Sequence, residues 1–236
     1  MKKYVIFIGL LIVITIHSQV KINYTIESHI ETYQLKLKID ITNSTNNYYI
    51  LPFDITGFKG FYDTEYCGVY NDKDYPYRFF APTVMINKEG SQEYIYPAST
   101  RGHYDGAESG KIIKEIERNA DKEIKDINVL KNKYHFKSYE MAFKNYYITK
   151  NLLTLNPHEK YSYEIYLDLG AITRADSSTL NDYYFLEFSK YNLSLHLCIT
   201  DDAYDWLTIK QKKKLGKYKF FTGTIKSNSF LFEAYK

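Results

Sequence analysis

The segment Gly106-Ala107-Glu108-Ser109-Gly110-Lys111 is the densest candidate for chemistry in the chain. A phosphate-binding loop wraps backbone N–H groups around an anion, with a glycine five residues before its Gly-Lys pair and Ser or Thr after the lysine. Those two positions hold Asp105 and Ile112, so the segment reads as a glycine-containing helix entry. No Gly-x-Ser-x-Gly occurs, and the strained turn that presents a hydrolase serine is absent with it. His158-Glu159 opens like a zinc-protease helix, but Ser162 stands where the second histidine belongs and Pro157 marks a turn. His103 and Asp105 share a polar loop without another spaced metal ligand. Asp201, Asp202 and Asp205 are hard oxygen donors of the kind calcium takes, yet no glycine-centred loop accompanies them. Helix capping accounts for Asp202 and surface exposure for the other two. The motifs therefore yield no catalytic residue, no metal site and no cofactor.

What remains is recognition. Tyr62, Tyr66, Tyr70, Tyr75 and Tyr77 crowd an irregular stretch around Gly68 and Pro76. Tyrosine combines a flat apolar face with a polar tip, which suits a wet interface with a protein, peptide or glycan. The same rings also serve to pack a long loop against its scaffold. Two cysteines, Cys67 and Cys198, bracket much of the chain. Alternation from Tyr191 to Ile199 puts Cys198 on the polar face of a strand. A Cys67–Cys198 bond would therefore pin the tyrosine loop to the outside of a sheet, and two free thiols are the alternative.

The compartment decides between those alternatives. Lys2 and Lys3 precede an apolar run from Tyr4 to Ile16, followed by His17-Ser18-Gln19, the three-part pattern of a secretory signal. Thirteen apolar residues fall short of the roughly 20 that a transmembrane helix needs. Cleavage after Ser18 places Ser18 and Ile16 where the peptidase reads side chains. No cysteine follows the run to accept a lipid, so the expected product, residues 19–236, is secreted or periplasmic, with no membrane span. Losing Lys2 and Lys3 leaves 29 basic side chains against 28 acidic ones, a net charge of about +1. That balance argues against nucleic acid as a partner. The one dense basic run, Lys210, Lys212, Lys213, Lys214 and Lys217, reads as the solvated face of a short helix.

The elements that must hold these groups are mostly strands. With 26 tyrosines, five prolines and 44% hydrophobic residues, the composition favours a globular β-rich domain over disorder. Period-two alternation predicts strands over Val20–Ile26 and Tyr33–Ile41, a third over Tyr48–Leu51, and a hairpin of Thr83–Asn87 with Gln92–Tyr96. Ile112, Ile116, Ala120, Ile124 and Ile127 recur at helical spacing, predicting an amphipathic helix with one buried stripe, capped by Ser109. A second helix is expected over Ser138–Asn145, with strand from there to Leu155. Further strands are expected over Tyr161–Leu169 and 183–199, then a helix capped by Asp201-Asp202 and running through Lys214. In the last strand, from Tyr218, parity changes near Ser227-Asn228, which predicts a bulge or turn.

Three segments carry a resemblance. Leu35-Lys-Leu-Lys-Ile-Asp-Ile-Thr-Asn43-Ser44 is a strand ending in a polar turn, Leu155-Asn156-Pro157-His158-Glu159-Lys160 opens a middle strand, and Gly223-Thr-Ile225-Lys-Ser227-Asn228 lies in the last strand. Their order and spacing, over roughly residues 20 to 57 and 145 to 233, resemble an immunoglobulin-like β-sandwich of uncharacterised exported bacterial proteins. His158 departs from the glycine usual in such turns, and residues 58–144 are too long for a strand connection. They are read as a helix-containing insertion. The resemblance implies a mostly β, immunoglobulin-like antiparallel sandwich in one domain and an exported setting, and it brings no activity. The functional expectation is a non-catalytic binding or accessory protein. The alternatives are a hydrolase assembled from distant loops, with His103, Asp105 and His158 as participants, and a structural component of the cell envelope.

Overall fold

Alternating apolar residues along Gln34–Asn43 demand a sheet with one dry face, and the chain builds its first sheet around that strand. The computed structural model describes residues 20–31, 33–63, 67, 78–101 and 109–234. Strands β1 (Val20–Glu31), β2 (Gln34–Asn43), β3 (Tyr49–Pro52), β4 (Thr83–Lys88) and β5 (Ala98–Arg101) precede two helices, α1 (Ser109–Tyr134) and α2 (Tyr139–Lys150). Then come β6 (Leu152–Leu155), β7 (Lys160–Asp168), β8 (Ile172–Thr173), β9 (Leu180–Tyr183), β10 (Ser189–Ile199), a 3₁₀ turn (Asp201–Trp206), α3 (Ile209–Leu215), β11 (Lys219–Phe220) and β12 (Gly223–Ala234).

The chain is mostly β, with several antiparallel sheets. Two of them, ordered β1-β2-β7 and β12-β10-β4, are antiparallel throughout. Leu35, Leu37, Ile39 and Ile41 of β2 and Leu193, Leu195, Leu197 and Ile199 of β10 contribute to one apolar core. On the wet side of the first sheet, Lys36 lies between Glu27 (2.9 Å) and Glu164 (2.7 Å), one carboxylate from each neighbouring strand. The bulge expected near Ser227-Asn228 is present, because Ser194 faces Ser229 while His196 faces Lys226. Its side chains replace the interrupted ladder. Ser227 Oγ accepts from Leu195 N (2.8 Å), and the Asn228 amide exchanges two bonds with the Tyr24 backbone of β1 (2.8 and 3.0 Å). An inserted residue thereby stitches one sheet to the other. Two smaller sheets, β11-β3-β6 and β5-β9-β8, complete the described strands.

Several expectations need correction. The expected turn is present at Gly90 (φ +81°), closed by Ser91 N donating to Lys88 O, but the second arm reaches β4 only through the Asn87–Tyr94 bridge and an Ile95 N to Ile86 O bond, while β4 pairs along its length with β10. Part of the 58–144 stretch is thus built into a main sheet. The segment expected to return to strand after Asn145 stays helical to Lys150, since Phe143 and Tyr147, one turn apart, both pack on Phe79 (5.5 and 5.1 Å between centroids). Ser138 caps α2 by accepting from Met141 N. The isoleucine stripe of α1 is not dry: Ile127 is buried, but Ile112 and Ile124 are exposed. Finally, Asp201-Asp202 do not cap a helix through Lys214. Thr200 stands at the head of the 3₁₀ turn, and Thr208 caps α3 in a reciprocal box with Gln211.

Candidate site: two clefts around Arg78

Arg78 and Asp54 meet because each is followed or preceded by core phenylalanines. Phe53 N donates to Asn151 O and Asp54 N to Phe80 O, which seats the two loops side by side. Arg78 Nη1 then donates to Asp54 Oδ2 (3.1 Å) and to Thr56 Oγ1, while Nη2 donates to Asp176 Oδ1. Asp54 turns its own loop by accepting from Thr56 N (2.8 Å). Gly57 is required by this packing, since a Cβ there would lie 2.7 Å from Arg78 Nε. The two carboxylates on the guanidinium differ sharply in setting. The Asp54 side chain is 9% exposed and that of Asp176 61%, against 10% for Arg78 itself.

A cleft opens on each side of this cluster, and both include Arg78 and Asp176 in their walls. The first, about 310 Å³, lies against α1 and α2 and is lined by Asn119, Glu123, Asp126, Tyr146, Tyr147 and Lys150, among others. Burial raises the Glu123 carboxyl above its ordinary range, against the lowering effect of a hydrogen bond from Tyr147 and the charge of Lys150. Burial likewise raises the Tyr147 phenol, so it stays a donor. The second cleft, about 330 Å³, is lined by Gln34, Thr56, Gly57, Tyr166, Asp168 and Thr173, among others. Tyr166 is 63% exposed. Gln34 Nε2 donates to Asp168 Oδ2 (3.0 Å). Two buried polar atoms around Asp54 have no hydrogen-bond partner among the described residues: Arg78 Nε and the hydroxyl of Tyr163, whose phenol is raised first by burial and then by the Asp54 charge.

The loop bearing Asp176 is anchored two residues earlier. Arg174 Nε donates to Asp182 Oδ1 (2.7 Å), and its Nη2 donates to Tyr62 Oη (3.1 Å) and Ser99 Oγ (2.8 Å). Tyr62, one of the tyrosines proposed for recognition, is therefore engaged in this network, with the Arg174 guanidinium 5.3 Å from its ring centre. Tyr66, Tyr70, Tyr75, Tyr77, His103 and Asp105 lie outside the described residues. Cys67 and Cys198 are joined, with Cα atoms 5.1 Å apart, and Cys198 sits on the half-buried outer face of β10. His158 lines neither cleft. It occupies a positive-φ turn position (φ 59°) with its ring bonded to Asn46 (2.8 Å). Asp202 accepts from Trp206 Nε1, and Asp205 pairs with Lys212.

Sequence motifs miss Arg78, Asp176, Glu123, Tyr147 and Tyr166 because they come from separate elements. One signal was present. Only four of the 31 basic side chains are arginine, and Arg78 and Arg174 are the two that are buried. Arginine's planar fork makes it the basic residue suited to buried pairs, whereas lysine serves the surface. Among the described residues no helix is long and apolar enough to cross a membrane. No protein-family model, curated protein or solved structure matches the chain.

Proposed function

We propose that this chain is an exported, immunoglobulin-like β-sandwich protein that binds a polar ligand, a glycan or peptide, in the paired clefts around Arg78. The observation that carries the reading is one nearly buried guanidinium shared by two clefts of small-molecule size. Ligand pockets run to roughly 300–1,000 Å³, with a few fixed polar groups that orient the ligand. The common core of two antiparallel sheets supports the sandwich, and the disulfide supports an oxidising compartment. Intact mass of the secreted product should begin at Gln19. A glycan and peptide array probed with residues 19–236 tests the binding reading: Tyr166→Ala or Lys150→Ala, one from each cleft, should abolish the signal. Array binding unchanged in both variants overturns it.

A second reading, a hydrolase, draws on one observation: a carboxyl with a raised pKa, Glu123, in a cleft beside further carboxylates is the arrangement of a general acid. Turnover of any ester, peptide or glycoside that Glu123→Gln abolishes would favour it over binding alone.

A further inference from the structure

We infer that Arg78 is a carboxylate anchor masked by Asp176, and that the second cleft takes an acidic sugar whose carboxylate displaces Asp176 from the guanidinium. The inference rests on the clefts being the binding site. Carboxylates engage arginine best through two parallel bonds, to Nε and one Nη. Asp176 makes one bond, to Nη2, and leaves Nε without a partner among the described residues. The remaining donor group, Nη1, is committed to Asp54 and Thr56. Nε is itself shut off from solvent in this arrangement, so a ligand carboxylate completes that edge only after Asp176 has moved aside.

Exposure says which carboxylate yields. Asp54 is walled in, but Asp176 is largely solvated, so it can pass to water with little loss of hydration. The exchange replaces one negative charge with another and leaves the nearly buried guanidinium neutralised throughout. Gly57 contributes by letting Arg78 pack close against the cleft wall, since a Cβ there would lie 2.7 Å from Nε. The rest of the second cleft suits a sugar ring. Tyr166 offers an exposed aromatic face, and Gln34, Asp168, Thr56 and Thr173 present donors and acceptors for hydroxyl groups. A peptide carboxylate would satisfy Arg78 but leave those hydroxyl partners unused.

Titration calorimetry of the purified protein with glucuronate, glucose and N-acetylalanine tests the inference. Glucuronate should bind, and glucose, which lacks the carboxylate, should bind at least tenfold more weakly. Asp176→Ala should tighten glucuronate at least fivefold by removing the competitor. Arg78→Lys should weaken it at least tenfold. If Arg78→Lys does not fold, Tyr166→Ala, at an exposed position, should produce the same weakening. Asp176→Ala leaving affinity unchanged or lowering it overturns the masking role, and N-acetylalanine binding as tightly as glucuronate overturns the sugar assignment. A ligand found on the array and lost in Tyr166→Ala or Lys150→Ala, with no glucuronate binding, would sink this inference while the clefts stand as the binding site.

Discussion

Asp54→Asn and Asp176→Asn remove the same charge from the same guanidinium, and the structure predicts very different costs. Arg78 is 10% exposed and Asp54 9%, so neutralising Asp54 strands a buried cation whose other carboxylate is mostly in water. Removing one partner of a buried pair typically costs about 3–5 kcal/mol. Asparagine keeps an oxygen to accept from Thr56 N, which preserves the turn, and Asp176 still lends partial compensation, so about 3 kcal/mol is expected for Asp54→Asn. Asp176 is 61% exposed, and pairs with one solvated partner contribute about 0–1 kcal/mol, so Asp176→Asn should cost less than about 1 kcal/mol. Urea unfolding with the disulfide intact measures both, provided the slope against denaturant is unchanged between variants. Equal costs, or a larger cost for Asp176, would refute the view that Asp54 holds Arg78 in place while Asp176 merely covers it.

His196, buried on β10, has its imidazole pushed down to about 4 by burial and by the Lys226 charge. The unfolded ring protonates near 6.5, so the unfolded state binds the extra proton between those values, and stability falls as pH drops through that window, by about 2 kcal/mol from pH 7 to pH 5. Unfolding of His196→Gln across the same range should lack this slope, and parallel curves for the two proteins would refute it. Gly60→Ala would put a Cβ 2.6 Å from Pro97 Cγ and 2.9 Å from Asp182 Oδ2. It should destabilise the protein by about 1–3 kcal/mol, read by thermal unfolding. Asn228→Ala removes both amide bonds to Tyr24 and should cost about 1–3 kcal/mol while leaving the far-ultraviolet spectrum unchanged.

The strands were legible where one face is dry and the other wet. In β2, four residues with no exposure alternate with Lys36, Lys38 and Asp40, and pattern alone locates such a strand. The bulge was legible for the same reason, because an inserted residue flips parity at Ser227-Asn228. Pattern fails where burial depends on which face a partner meets. Asn119, Glu123 and Asp126 of α1 line the cleft with Tyr146, Tyr147 and Lys150 of α2, and of the isoleucine stripe Ile127 is buried while Ile112 and Ile124 are exposed. It fails again at residues 92–96, where an alternation suited to a full hairpin arm gives only a short contact with β4, which pairs along its length with β10.

The candidate site was less legible because its contacts are spaced 22 to 98 residues apart, from Thr56 to Asp176 around Arg78. A local motif records chemistry made within one turn or loop. Here the chemistry is made by packing: Phe53, Phe79 and Phe80 enter the core, and Asp54 and Arg78 are carried together at its edge. Exposed charges can pair or separate at little cost, so their order along a chain says little about where they meet. A buried arginine must find a carboxylate, and in a chain that spends lysine freely its rarity marks the positions where that constraint operates. Arg174 with Asp182 and Arg78 with Asp54 are those two positions. The first pair is closed over by Tyr62 and Ser99 and serves the fold. Among the described residues the second keeps an Nε without a hydrogen-bond partner beside an exposed second carboxylate, the two features that the proposed ligand exchange uses.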